Sequence, residues 1–202
     1  MTQSATRRAT ILLALSLLVA PRAAYADLFL APFAGLKFGG GTSIFDLELA
    51  AGQAKSSIGA SAFLLSDDIV GYEVTFGYVP QYFKSDTQLP LIKPGSYVVD
   101  LMGNVIVSLP PDVTAGGLRP YLMGGIGLIH AESADILNIL QVRRTVPAFD
   151  LGAGAIGLLT NNVGLRFDFR YLRSMTNDDG TLSHVGRRIS YSRGTIGLVL
   201  RF

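Results

Sequence analysis

The amino-acid sequence predicts an all-β fold: an eight-stranded antiparallel up-and-down transmembrane β-barrel preceded by a cleavable signal peptide. Three observations carry this. Several segments alternate apolar and polar residues with a period of two, which sorts side chains onto the two faces of a strand. Hydrophobic residues make up 49% of the chain, yet after the first 26 residues no segment approaches the roughly 18 uninterrupted apolar residues of a helical membrane span. Connections rich in Pro, Gly, Asp and Asn separate the alternating segments, short and long in turn, the pattern of a membrane barrel.

Residues 1–26 hold a basic start with Arg7 and Arg8, an apolar run from Ala9 to Ala20, and the small-residue stretch Ala23-Ala24-Tyr25-Ala26. This is a signal peptide with an A-x-A site, and cleavage is expected after Ala26. The Arg7-Arg8 pair is read as an ordinary positive start and not as a twin-arginine leader. Without the leader's three arginines the chain has 14 basic and 15 acidic residues. The basicity thus belongs to the leader, and no nucleic-acid partner is expected. Cysteine is absent, so an exported chain of this size needs another source of rigidity, and a closed hydrogen-bonded barrel supplies one.

Residues 27–202 form one domain. Its eight predicted strands are Leu28 to Phe38, Ser56 to Leu65, Gly71 to Tyr78, Tyr97 to Leu109, Leu118 to His130, Phe149 to Leu159, Val163 to Leu172 and Tyr191 to Phe202. The last is the clearest: Gly194, Ile196, Leu198, Leu200 and Phe202 share one face, and Arg193, Thr195, Gly197, Val199 and Arg201 the other. Val163 to Leu172 repeats the pattern. The glycine-rich fifth and sixth segments are apolar on both faces, so their facing is open. Short turns are expected at 66–68, 110–117 and 160–162, and long loops at Gly39 to Lys55, Phe83 to Gly95, Ala131 to Pro147 and Ser174 to Arg187. The alternation puts short turns at one end of the barrel, with both termini, and long loops at the other.

Closure matters because backbone groups in hydrocarbon must find partners within the protein. Aliphatic residues then face lipid, and aromatic girdles are expected from Tyr72, Tyr121 and Phe202 at one end and Tyr78, Tyr97, Phe149, Tyr171 and Tyr191 at the other. The inward set contains Glu73, Asp100, Arg166, Asp168, Arg170, Arg193 and Arg201. An eight-stranded interior is just wide enough for side chains. These residues are therefore expected to pair across the lumen as a structural network, and a gated or proton-relaying path is the alternative.

The segments Gly71 to Tyr78, Arg119 to Gly127, Asn162 to Arg166 and the final Gly197 to Phe202 give the chain a pattern that resembles the eight-stranded OmpA/OmpX-like outer-membrane β-barrel domain family, across essentially all of residues 27–202. The resemblance implies a bacterial outer membrane, with outer-membrane lipid and lipopolysaccharide as surroundings. It also makes Phe202 the terminal aromatic by which the barrel-assembly machinery recognises its clients. Relatives serve as tethers, adhesins, small pores or proteins without known activity. The chain stops at the barrel, so a peptidoglycan-binding domain is expected to be absent.

Chemistry is sparse. The histidines are His130 and His184; the latter adjoins Ser183, but neighbours in sequence rarely aim at each other, so no catalytic pair is read. No metal-ligand spacing and no cofactor motif is found; Asp67-Asp68 and Asp178-Asp179-Gly180 read as turns. The Gly39-Gly40-Gly41 and Gly124-Gly125-Ile126-Gly127 clusters read as backbone devices. Two loops are greasy: Ile44, Phe45, Leu47 and Leu49 in the first, and Ile136, Leu137, Ile139 and Leu140 in the third. The third carries Arg143 and Arg144, a possible surface contact for lipopolysaccharide phosphates. The expected function is a structural or surface-interaction barrel without enzyme activity. A narrow porin-like channel is the first alternative, then a lipid-modifying enzyme, then a soluble lipocalin-like carrier with the opposite polarity of faces.

Overall fold

A computed structural model of the chain describes residues 27–42, 54–65, 69–82, 96–110, 113–114, 118–134, 141–175 and 189–202. The leader, the greasy stretches of the first and third loops, both Asp-Asp turns and His184 lie outside the described residues. Eight strands, β1 (Asp27–Thr42), β2 (Lys55–Leu65), β3 (Val70–Pro80), β4 (Tyr97–Ser108), β5 (Leu118–Ala134), β6 (Gln141–Leu158), β7 (Val163–Ser174) and β8 (Ile189–Arg201), pair antiparallel with their sequence neighbours. β1 and β8 close the barrel.

The closure explains a glycine cluster. A row of register partners leaving β1 at Leu30 passes through Ala62, Val74, Gly103, Ile126, Phe149, Arg173 and Ser190 and returns to β1 at Gly41, eleven positions on. Such a stagger is what closes a tilted sheet. Facing has a period of two, so an odd shift would turn the closing strand inside out. The odd residue is absorbed by a bulge between Phe38 and Gly41, where β1 spends three steps against two on β8 and Gly39 takes φ +60°. Gly40 and its neighbours thus continue β1 past its predicted end at Phe38 by inserting one unpaired residue.

The largest departure from expectation is the third loop. β5 runs to Ala134 and β6 starts at Gln141, with Ala131 opposite Arg144 and Glu132 opposite Arg143. Most of the predicted loop Ala131 to Pro147 is therefore strand, and the connection left between them, 135–140, is shorter than the expected short turn at 110–117. The strict short–long alternation fails there, because length was transferred from loop to hairpin. Pro147 conceals this in the sequence. Its carbonyl accepts the Met175 amide at 2.8 Å, so its nitrogen also faces the β7 side, at the point where that ladder ends and a missing N–H costs little.

Facing follows the alternation. Val74, Phe76, Leu101, Val105, Leu122, Ile126, Leu151, Phe167, Phe169, Ile196 and Leu198 stand exposed on the outer surface, while Glu73, Asp100, Asp150, Arg166, Arg170 and Arg193 are buried inside. Two apolar clusters share the interior with these charges. One, toward the long-loop end, joins Val79, Tyr82, Val98, Met102, Ile129, Leu172, Ile189 and Tyr191. The other, toward the termini, joins Phe29, Phe63, Leu65, Ile106, Met123, Ile156 and Val199.

Candidate functional site: a filled lumen and an outer wall

Arg166, Asp168 and Arg170 occupy alternate positions of β7 and so share its inner face. Glu73 and Thr75 do the same on β3, four strands away, and the long arginine side chains cross the lumen to reach them. Arg166 grips Glu73 with two contacts, Nη1 to Oε1 at 3.0 Å and Nη2 to Oε2 at 3.2 Å. Arg170 Nη2 donates to Glu73 Oε1 at 2.9 Å, and its Nη1 donates to Thr75 Oγ1 at 3.0 Å. Thr75 in turn donates to Glu73 at 2.7 Å. Asp168 lies 2.8 Å from Arg166 Nε and 3.3 Å from Arg170 Nη2, and accepts the Tyr121 hydroxyl. Arg166 Nη1 contributes an ion-pair contact without hydrogen-bond geometry, while the charge-assisted hydrogen bonds of the other groups help the buried set offset its desolvation.

A second lock stands nearby. Arg193 on β8 meets Asp100 on β4 through two bonds of 2.7 and 3.0 Å, and the Tyr191 hydroxyl donates to the same carboxylate at 2.9 Å. Space for it comes from Gly77, because a Cβ there would overlap Arg193 Nη1 and both Asp100 oxygens. Aromatic faces flank the cations: Arg166 lies 4.8 Å from the Phe63 ring centre and 5.0 Å from that of Tyr121, and Arg193 lies 5.2 Å from that of Phe33. Lys37, buried on β1, stands 4.3 Å over the Tyr82 ring. Four acids in the layer, Glu73, Asp100, Asp150 and Asp168, are thus accompanied by Arg166, Arg170, Arg193 and Lys37, and the layer is close to neutral.

Of the seven residues expected in this network, Glu73, Asp100, Arg166, Asp168, Arg170 and Arg193 come together inside the barrel. Arg201 does not. It shares their facing but lies at the end of β8, where its Nη2 meets Asp27 Oδ2 at 2.5 Å with both side chains about one third exposed (36% and 34%). Phe202 is exposed beside it and its amide donates to the Leu28 carbonyl at 2.9 Å, at the closing seam. Arg143 and Arg144 fall at consecutive positions of strand β6 and not on a loop.

Sequence reasoning missed Asp150, Tyr121, Tyr191 and Asn104. Asp150 sits 3.7 Å from Arg170 Nη1. With its amide oriented to suit its neighbours, Asn104 donates to Asp150 at 2.7 Å and accepts from Arg170 at 3.1 Å. The signal for Asp150 is its charge: one acid in an apolar, glycine-rich strand has to face the lumen, and that settles the facing of β6. Tyr121 and Tyr191 leave the girdles, because both are buried inside and hydrogen-bonded. Tyr191 is two residues from Arg193, so parity already places it on the inner face. Tyr72, Tyr78, Tyr97, Phe149, Tyr171 and Phe202 remain outward.

No described group forms a nucleophile, base and orienting acid inside the barrel. On the outer wall, His130 Nδ1 and Thr145 Oγ1 are hydrogen-bonded at 2.8 Å, while the nearby Glu132 accepts the Tyr97 hydroxyl at 2.9 Å. A carboxylate oriented on the imidazole, which a triad requires, is not among the hydrogen bonds of the described residues. They also hold no cluster of metal-ligating side chains.

Comparison with known proteins supports the fold. A scan against protein-family models finds no match, and a search of curated proteins finds none either. Among solved structures, Neisserial surface protein A superposes with a TM-score of 0.63 at 17% identity, covering 87% of this chain and 97% of its own. The outer membrane protein OprG from Pseudomonas aeruginosa gives 0.58 at 14% identity, covering 88% and 96%. Ail, the attachment invasion locus protein of Yersinia pestis, solved in complex with the heparin analogue sucrose octasulfate, gives 0.52 at 13% identity, covering 88% and 99%. The chain has the fold of these outer-membrane β-barrels.

Proposed function

We propose that the chain is a small bacterial outer-membrane barrel with a structural or surface-interaction role, that it conducts no steady ion current, and that it is not an enzyme. The observation that carries this reading is the filled lumen: a near-neutral ionic layer accompanied by two apolar clusters, so that a water column through the barrel would have to displace both kinds of packing. The outer face supports the membrane half of the reading. Each of the strands β1–β8 exposes leucine, isoleucine, valine or phenylalanine, which would be an aggregation hazard in water and is the expected surface in lipid. This polarity, charges inside and apolar residues outside, is the reverse of a soluble carrier.

In this reading residues 1–26 are removed after Ala26, and Phe202 at the seam is the mark by which the barrel-assembly machinery takes up the chain. Outer-membrane lipid and lipopolysaccharide surround the wall. The likeness to Ail suggests surface binding of some kind, and in this reading Arg143 and Arg144 are the contact for lipopolysaccharide phosphates.

The test is reconstitution of the purified chain in a planar bilayer, together with membrane fractionation and N-terminal sequencing. A silent bilayer, recovery in the outer-membrane fraction and a first residue of Asp27 are expected. A reproducible steady conductance would replace the plugged barrel with the channel, and recovery in the soluble periplasm would remove the membrane placement.

A further inference from the structure

We propose that the outer wall of β6, β7, β8 and β1 holds a two-part site for the phosphorylated, acylated end of lipopolysaccharide: Arg173 with the Ser190 and Ser192 hydroxyls takes a phosphate, and an apolar groove below them takes an acyl chain. The inference rests on the membrane placement proposed above and adds a second contact to that at Arg143 and Arg144.

The outward register rows of these four strands change character toward the long-loop end. Ala153, Phe169, Gly194 and Leu36 form an apolar row; two residues further on stand Leu151, Tyr171, Ser192 and Phe38, and two further again Phe149, Arg173, Ser190 and Gly41. Arg173 alternates with the buried Leu172 and Ser174 and so belongs to the outward set. A guanidinium on the outer face is costly to leave in hydrocarbon, so the headgroup layer reaches down to its row. Among the described residues no outward side chain of β6, β7, β8 or β1 is acidic. Glu132, outward on β5, stands opposite Arg143, six positions beyond the pairing of Ile126 with Phe149, which is about 20 Å along the strand. The described wall around Arg173 is therefore positive, and Arg143 further out on β6 has the same sign.

The chemistry selects the lipid. Ser190 pairs directly with Arg173, and Ser192 is its diagonal neighbour, within reach of a long side chain. A guanidinium fork and two hydroxyls supply donors, and an ionised phosphate supplies acceptors only. A zwitterionic headgroup would bring its own ammonium to a wall whose described residues offer it no carboxylate. Just below, the rings of Phe38 and Phe169 meet at 5.6 Å beside Gly194, where an added Cβ would come within 3.4 Å of the Phe38 ring. Under this ledge a groove runs between Ala34, Ala153, Phe167 and Ile196, in which a flexible hydrocarbon chain gains more contact than on a flat wall. Ser192 and Gly194 are successive outward residues of β8, so one lipid molecule spans both parts.

The experiment titrates the detergent-solubilised full chain with lipopolysaccharide, with the same lipopolysaccharide after phosphatase treatment, and with phosphatidylglycerol, reading bound lipid by native mass spectrometry. Arg173→Ala is expected to bind the phosphorylated form at least about fivefold more weakly, to match the unmodified chain toward the dephosphorylated form, and to lose less toward phosphatidylglycerol, whose phosphodiester carries a single charge. Ala153→Phe, which fills the groove and leaves the charge in place, is expected to weaken lipopolysaccharide binding as well, whereas His130→Ala on the neighbouring wall should not. Unchanged lipopolysaccharide affinity in Arg173→Ala, or a loss that persists after phosphatase treatment, overturns the phosphate site, and unchanged affinity in Ala153→Phe overturns the acyl groove. An equal or larger loss toward phosphatidylglycerol overturns lipopolysaccharide as the occupant. If the alanine variant does not fold, Arg173→Gln carries the same comparison. Two arms separate this site from the reading it rests on: a loss in Arg143→Ala/Arg144→Ala with none in Arg173→Ala overturns the site alone, and recovery of the chain in the soluble fraction overturns the membrane placement.

Discussion

A methyl group at Gly77 would occupy the space through which Arg193 reaches Asp100. Gly77→Ala is therefore expected to destabilise the folded barrel by about 1–3 kcal/mol, the usual cost of overpacking. Gly103, which faces outward and whose added Cβ would meet nothing closer than the Ile126 carbonyl oxygen at 3.8 Å, should tolerate alanine within about 0.5 kcal/mol. Urea unfolding of both variants in the same detergent checks the pair. At the lock itself, Asp100→Ala leaves a buried guanidinium without its carboxylate and should cost about 3–5 kcal/mol, with much of that recovered in Asp100→Leu/Arg193→Met. Both partners are visible from alternation alone, which assigns a side. It does not assign depth: Arg201 obeys the same parity as Arg193 but lies at the strand's end, where Asp27 and solvent meet it.

Among the elements, β7 and β8 are readable almost residue by residue because one face is aliphatic and the other charged. β5 and β6 are not, since glycine and alanine on both faces erase the contrast that marks a side. Asp150 restores it for β6, and the register then carries it to β5 through the pairing of Asp150 with Gly125. Tyrosine misleads for the opposite reason, as its ring suits a girdle and its hydroxyl suits a buried network. The two roles separate in a measurement: Tyr191→Phe and Tyr121→Phe each remove a hydroxyl bonded to a buried carboxylate and should lower unfolding stability by about 1–2 kcal/mol, while Tyr171→Phe should lie near zero. The β5–β6 hairpin is hidden in the sequence because arginines and a proline look like loop. Pro147 is compatible with the strand only because its neighbour β7 has already ended on that side.

For the whole molecule, the eight-strand count and the closed order are legible, whereas the layering of the lumen is not, because it depends on side chains from strands far apart in sequence. That layering makes a distinct expectation. Replacing Glu73 and Arg170 together by alanine removes charge from the middle of the barrel but leaves both apolar clusters, so single-channel recordings should stay near the unmodified baseline; a jump to steady open-channel current would show that the ions alone hold the lumen shut. The position of the second lock also bears on how the barrel comes into being. Arg193 sits on the last strand and Asp100 on the fourth, halfway round the wall. A half-assembled sheet would carry each as a lone charge beside lipid, a state that is costly to occupy. Closure of the barrel therefore favours a cooperative step, in which β8 supplies both one side of the seam and the counter-ion of Asp100.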